Sequence, residues 1–471
     1  MNHKTPSHGH DLVNGAIPAL VRQLAVPAAV GFFFNTMYNV VDTYFAGRWS
    51  TEGLAALSLT FPVFFTLLAM SSGFSTGATA MIGHALGRDD RSEAACIAAQ
   101  GLVLGVLLTG VTIAVGFAAA PSLYRILGAE GAYLELCLEY LHVILLGSGF
   151  ILAFYMLNGV LNALGDTAAF RDYLMAATVV NMALDPWFMY GGLGVPALGV
   201  RGIALATIMA QCGGTIFLAR RVWKTGMLWR STGAVWRPNR RVLREIMEQG
   251  VPASLNMMTV AVGVFIITYF LGRFGQQTVA AYGAATRIEQ IILLPALGLN
   301  VAALTLVARN AGAGKLHRVT RTVRTCLTYG AAVVAVGSLL MYLGANLIMR
   351  TFSPDPEVVA IGAHYLRIAA FAEYAYVVLF VNTALLQGLK KPAWSLVIGL
   401  VRQIVAPVLV FWLTTGVLGW GRDGVWYGVL IIAWVAAAAS VVIARGRVHA
   451  VRKSGKPGAP VPFAAPGEEI A

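Results

Sequence analysis

Twelve apolar runs, each about 20 residues or longer, set the terms on which this 471-residue chain can fold. They occupy 17–47, 54–86, 94–123, 134–161, 168–190 and 199–218, then 250–272, 279–307, 319–347, 358–386, 394–418 and 424–444. About 20 residues of helix cross the hydrocarbon core of a bilayer. Lipid offers no partner to a backbone N–H or C=O, so a lipid-exposed run must satisfy those groups within its own helix. The chain is 58% hydrophobic and 12% charged, with a mean hydropathy of +0.72. A water-soluble body of this length has no means of covering so much apolar surface. The expected fold is an all-α polytopic membrane protein.

The runs form two sets of six, and the second set repeats the first at an offset of 225 residues. Pro27 answers to Pro252, and Thr43-Tyr44-Phe45-Ala46-Gly47-Arg48 to Thr268-Tyr269-Phe270-Leu271-Gly272-Arg273. Gly73/Gly298, Gly87/Gly312, Arg125/Arg350, Tyr140/Tyr365, Trp187/Trp412, Gly194/Gly419 and Gly199/Gly424 keep the same spacing. Six spans is an even number, so both copies enter from one side. That predicts two six-helix lobes related by a pseudo-two-fold axis along the membrane normal. The division expected from this is a tail at 1–16, an N-lobe at 17–221, a basic linker at 222–245, a C-lobe at 246–446 and a disordered tail at 447–471. Gly73–Gly77 and Gly101–Gly105 suit close helix packing in lipid.

Charge distribution gives the orientation. With the N-terminus inside, 22 basic residues fall in cytoplasmic loops and six on the opposite face. Both termini are therefore expected to be cytoplasmic, in an inner or plasma membrane. The same distribution removes a nucleic-acid reading of the net charge of +13, which lies in short loops between spans. No cleaved signal peptide is expected. Cys96, Cys137, Cys212 and Cys326 make no CxxC or Cys/His cluster, so neither a disulfide framework nor a zinc site is indicated. His3, His8 and His10 read as part of a solvated tail rather than a metal site. Enzyme chemistry has little support, because no HExxH occurs and no GxSxG precedes a plausible triad.

Two acids mark where chemistry belongs. Asp42 precedes Arg48 by six residues at the outer end of span one, and Asp185 precedes Gly191 by six at the outer end of span five. Six residues is roughly 9 Å of helix, which puts both carboxyls at one depth. An Asp at a helix centre in lipid costs on the order of 3 kcal/mol on insertion scales, so such a residue needs a reason to be there. The repeat sharpens the point: Asp42 is matched by Ile267, Asp185 by Val410 and Asn181 by Ala406. Asn181 lies one turn from Asp185, Asn39 and Asn35 lie before Asp42, and Tyr38 and Thr207 supply hydroxyls. Carboxylates with amide and hydroxyl oxygens suit a proton or Na+. The C-terminal half carries Arg287, Glu289, Arg367, Glu373 and Arg402 within its spans, read as interhelical ion pairs or substrate contacts. Pro27 and Pro252 lack an amide hydrogen and are placed to bend their helices.

These residues resemble those of the multidrug and toxic-compound extrusion (MATE) family. Pro27, Asp42 and Gly47 look like its first-helix pattern. Leu161-Asn162-Ala163-Leu164-Gly165-Asp166-Thr167 is similar to the segment before its helix five, and Asn181-x-x-x-Asp185-Pro186 to its ion-site motif. Gly199-Val200-x-Gly202-Ile203-Ala204 and Ala308-Arg309-Asn310-Ala311-Gly312-Ala313-Gly314 also resemble family elements. The likeness runs from about Ile17 to Arg445. It implies twelve helices in two lobes, no cofactor, and export of drugs or amphipathic, cationic organic compounds in exchange for H+ or Na+. It further implies an N-lobe ion site at Asp42, Asn181, Asp185 and Thr207. The stretch 251–269 holds no acid where another branch has a glutamate, which points to the DNA-damage-inducible type of arrangement. The implied partners are small organic substrates and membrane lipids, acting on a monomer. A flippase for lipid-linked precursors is the competing expectation within the same superfamily.

Overall fold

The structure is a computed structural model that describes residues 11–192, 194–228 and 233–454. His3, His8, His10, part of the linker and the Pro/Ala-rich end lie outside the described residues.

The chain is a succession of helices: α1 (Ile17–Trp49), α2 (Thr51–Gly87), α3 (Arg91–Ile126), α4 (Gly131–Leu146), α5 (Ser148–Leu164), α6 (Ala168–Tyr190) and α7 (Val200–Lys224). After a 3-10 turn at Gly233–Trp236 come α8 (Arg240–Gly272), α9 (Gln276–Gly312), α10 (Leu316–Phe352), α11 (Pro356–Ala369) and α12 (Glu373–Gly388). The chain closes with α13 (Pro392–Leu400), α14 (Ala406–Phe411) and α15 (Asp423–Ser454). Among the described residues nine helical stretches are long and apolar enough to cross a membrane, one of them being 392–417 taken whole. Two further spans are bent pairs, α4 with α5 at 47° and α11 with α12 at 53°. With α6, which at 23 residues is long enough but less apolar, the count of twelve agrees with the sequence.

The two bends are repeat mates. Gly147 joins α4 to α5, and Ala372, 225 residues on, ends the break between α11 and α12. At Gly147 a Cβ would stand 2.3 Å from Ile208 of α7, so the bend sits where that helix comes closest. The counterparts α6 and 392–417 differ more. Where α6 is regular, the later span passes through two π-helical stretches, Val401–Val405 and Trp412–Val417. Such widened turns are rare and gather at functional sites.

By contact the chain divides into two compact units, and the division does not follow the linker. One unit takes Val30–Ser254, and the other takes 11–29 together with 255–454. The sequence reading set the boundary at 222–245, but the described residues of that stretch, 222–228 and 233–245, are built into the first unit. Gln100 of α3 donates to the carbonyls of Val235 and Arg237 at 2.6 and 2.8 Å and accepts from the Asn239 amide at 2.9 Å. Val235, Val242 and Ile246 enter the same core as Phe154, Phe170 and Tyr173.

The crossing points, 29/30 and 254/255, are themselves one repeat length apart, and one pair of contacts explains them. In the first unit Gly73 of α2 lies against Ser254 of α8, so that a Cβ would come within 2.5 Å of its N and Cα. In the second unit Gly298 of α9 lies against Ala25 and Ala29 of α1, so that a Cβ would come 2.3 Å from the Ala25 carbonyl oxygen. Gly73 and Gly298 are repeat mates, as are Ala29 and Ser254. Each unit thus packs one glycine helix against the leading part of a helix that continues into the other unit. Only glycine permits this approach. Gly101 and Gly105 have ordinary room, since a Cβ there would meet Met156 at 3.5 and 3.9 Å, so of these four glycines the close-packing expectation holds at Gly73 and Gly77.

Ends of the described chain also depart from the expected tails. α15 runs on to Ser454. Residues 11–15 form a turn in which Asp11 accepts from the amides of Val13 and Asn14 and from the Asn14 side chain at 3.0, 2.9 and 2.7 Å. Asn310 donates to the Leu12 carbonyl, Arg318 to that of Gly15, and Lys315 to the Asn14 side chain. Leu12 is 2% exposed, so this segment is seated, not free.

Two outcomes are expected. Gly73→Val should destabilise the protein by about 1–3 kcal/mol through overpacking, whereas Gly110→Val, with open space around its Cα, should leave thermal unfolding nearly unchanged. The hydrogen bonds from Asn14, aided by the backbone amides and Lys315, hold the Asp11 carboxyl below its ordinary range. A lowered value in the folded state means the turn's stabilisation is present above the unfolded value and fades as pH falls through the folded one. Hydrogen exchange at 13–15 should therefore speed up in Asp11→Ala at pH 7, and the wild type should approach that behaviour only below about pH 4.

Candidate functional site

The site in the first unit starts from α6. Gly165 ends α5 in a left-handed turn (φ 87°) that an L side chain rarely adopts. Asp166 then accepts from the Ala169 amide at 3.1 Å and starts the next helix. From there α6 runs 23 residues unbroken, and its buried face carries Thr178, Asn181 and Asp185. Asn181 Nδ2 donates to Asp185 Oδ1 at 2.9 Å, one turn along the same face. Asn181 and Asp185 are both 0% exposed.

α1 brings Asp42 to this point, 8% exposed. Thr207 of α7 donates to Asp42 Oδ2 at 3.4 Å, and the Asp42 and Asp185 carboxyls lie within hydrogen-bonding range of each other, with Asn181 beside Asp42 as well. Two carboxylates so close repel strongly unless positive charge lies between them. Asp42 Oδ1, Asp185 Oδ2 and Asn181 Oδ1 are buried without a hydrogen-bond donor among the described residues. Buried polar atoms are normally paired, and three acceptor oxygens left over in one place fit a proton or a small hard cation. Among the described residues no group of three His, Cys, Asp or Glu side chains gathers, so the donor set is not that of a transition metal.

Of the supporting residues expected, Tyr38 is buried with its hydroxyl beside Thr207 and in reach of Asp42. Asn39 is not part of this group. It is exposed and turns its amide back to the Asn35 carbonyl at 2.8 Å, so its side chain is spent on its own helix although it lies within one turn of Asp42. Asn35 is half-buried. α1 and α8 each pass Pro27 and Pro252 as continuous helices.

Sequence reasoning missed one member. Tyr140 of α4 is buried within electrostatic reach of both Asp42 and Asp185. Its signal was present in the match of Tyr140 with Tyr365, which served only to fix the repeat. Tyr365 stands in the same relation to an acid of the second unit, buried within electrostatic reach of Glu289 of α9.

Around Tyr365 the C-terminal charges take an unexpected form. No ion pair among the described residues involves Arg287, Glu289, Arg367, Glu373 or Arg402. Arg402, on the first π-helical stretch, instead lies over the Tyr376 ring at 5.6 Å. Arg287 is exposed and Arg367 half-buried. Glu373 is 0% exposed, with neither oxygen hydrogen-bonded among the described residues, and Glu289 is its charged neighbour. Tyr282, Tyr365 and Trp426 pack ring to ring alongside. Aromatic rings and a second acid, not opposite charges, surround these carboxyls.

Spans of membrane length define a multi-pass membrane protein, with a buried acid pair set between α1, α6 and α7. Comparison with known proteins names the family. The family model MatE matches twice, at 27–187 and 252–412, with both ends of the match displaced by 225 residues. The chain belongs to this family, that of the MATE transporters. It is 25% identical over 423 residues to the multidrug export protein MepA of Staphylococcus aureus, covering 89% of this chain and 91% of the relative. It is 26% identical over 410 residues to an FAD transporter of Shewanella oneidensis, covering 84% and 88%. Among solved structures, an outward-facing multidrug resistance MATE transporter of the MOP superfamily superposes with a TM-score of 0.88 at 25% identity, covering 96% of this chain and all of the other. A MOP superfamily transporter from Pyrococcus furiosus described as having a binding pocket of reverse polarity gives 0.88 at 25% identity, with 95% and 100% covered.

Should the Asp42–Asp185 pair take a cation, as proposed below, Tyr140→Phe is expected to weaken that binding by roughly three- to tenfold, the worth of one hydroxyl near charge, and Tyr365→Phe to leave it unchanged. Isothermal titration with Na+, or proton release on binding followed with a pH dye, reads the difference.

Proposed function

We propose that the protein is a secondary active exporter of drugs and other amphipathic organic compounds, driven by H+ or Na+ entering at Asp42 and Asp185. The observation that carries this is the pair of carboxyls with three unpaired acceptor oxygens in one buried place. The relatives named multidrug export protein support the substrate class. The absence of any acid in 251–269 supports the DNA-damage-inducible type of arrangement, with the coupling ion in the first unit. Both termini face the cytoplasm in this reading, as the basic loops favour.

Coupling needs no more than a difference in affinity. With the acids charged, the site takes up a cation from outside, and filling it alters the packing of α1 against α6 and α7. If substrate binds the unfilled state more tightly, linkage requires that ion entry expels it. The lipid-linked precursor flippase ranks below this reading, because Arg402 is stacked on Tyr376 and Arg287 is exposed. The Shewanella relative argues for keeping an organic anion in the assay.

In proteoliposomes with an imposed pH or Na+ gradient, efflux of an organic cation dye and of FAD should each be compared with Asp42→Asn. Gradient-driven transport of the true substrate should fall by about tenfold or more, within the usual range of coupling free energies, while binding without a gradient persists. Undiminished gradient-driven transport in Asp42→Asn overturns the proposal.

A further inference from the structure

The N-terminal end of α10 holds a feature the transport reading does not use. A cleft of about 550 Å³ is lined by His317, Thr320, Arg321, Arg324, Thr325 and Thr328, with no acidic side chain among its lining residues. In the first unit loop cations are repeatedly matched by acids, as in Arg88–Glu93, Arg171–Asp172, Arg221–Asp172, Arg241–Glu245 and Arg244–Glu248. Arg321 and Arg324 are exposed and have no ion pair among the described residues. Their neighbours Lys315 and Arg318 turn the other way, to neutral partners at Asn14, Asn310 and Gly15. Those contacts fix the helix end; Lys315 also lies within electrostatic reach of Asp11, while Arg318 has no acid paired with it among the described residues.

Depth and exposure say what reaches the cleft. Residues 326–347 of α10 carry no charge; these 22 residues span roughly 33 Å, close to the hydrocarbon thickness. His317–Arg324 therefore falls at the headgroup layer. The apolar part of the helix faces outward, with Val336, Leu339, Leu343 and Leu347 exposed by 58–72%. Arg321, Thr325, Thr328, Ala332, Val336, Leu339 and Leu343 follow at steps of three and four, one continuous face. A headgroup in the cleft would have its acyl chain laid along this ridge. A soluble anion would use only the upper end.

We propose that this cleft binds the phosphate of an anionic glycerophospholipid, Arg321 and Arg324 contacting the phosphate oxygens and Thr325 donating its hydroxyl. Basic recesses at membrane helix ends are suited to such headgroups, and guanidinium matches phosphate geometry.

Native mass spectrometry of the full chain, titrated with phosphatidylglycerol or phosphatidylcholine of equal chain length, tests the assignment. The wild type should favour phosphatidylglycerol by about fivefold or more, the scale of one arginine's surface attraction. Arg321→Gln with Arg324→Gln should abolish the preference. Thr325→Trp, which fills the cleft and leaves both charges, should do the same and decides the matter if the double variant is not monodisperse. Arg241→Gln with Arg244→Gln should leave the preference intact. Equal binding of the two lipids by the wild type overturns the proposal, as does a preference that survives Thr325→Trp. So does an equal loss in the Arg241/Arg244 variant, or complete displacement of lipid by millimolar inorganic phosphate.

Discussion

Two helix backbones can approach closely only where no side chain stands between them, and this chain uses that rule at matched positions of its two halves. Gly73 against Ser254 and Gly298 against Ala29 are the same contact made twice. Lipid gives no hydrophobic reward for bringing apolar helices together, so association rests on contact at short range. The identity of each compact unit follows from it: the leading part of α8 completes the first unit, and the leading part of α1 completes the second. The boundary lies inside two helices because the packing glycines are there.

On that frame the two units support different chemistry from a shared plan. Tyr140 and Tyr365 occupy equivalent places, each beside buried acid. The acids themselves do not correspond. Asp42 and Asp185 come from α1 and α6, whereas Glu289 and Glu373 come from α9 and α12, and the residues matched to them in the first half are Phe64 and Ser148. Duplication thus preserved the tyrosine and the bent helix pair while the carboxyls arose on different faces. The pair in the first unit meets amide and hydroxyl groups; in the second, Glu289 has Tyr282, Tyr365 and Tyr376 as neighbours, and Arg402 lies over the Tyr376 ring.

Much of this was legible from residue order. Lengths of apolar run set the spans, since lipid leaves a helix as the satisfactory answer, and 168–190 agrees with α6 to the residue. Equal depth in two helices placed Asp42 and Asp185 together because rise per residue is fixed. What escaped depended on which face a side chain presents or on contacts far apart in sequence. Asn39 lies three residues from Asp42 yet turns away. The basic connector looked like a solvated linker, but Gln100 pins it from more than 130 residues off. Opposite charges among Arg287, Glu289, Arg367, Glu373 and Arg402 suggested pairing, and charge alone does not say that Arg402 finds a ring instead.

α1 is a single rod of 33 residues whose first part is housed in one body while Asp42 lies in the other. Thirteen residues, about 20 Å of helix, separate that acid from Ala29. The twin helix α8 is divided between the units in the same way and has Ile267 where α1 has the carboxyl. Of these two matched helices, only α1 carries a buried carboxyl, so the doubled blueprint is chemically lopsided.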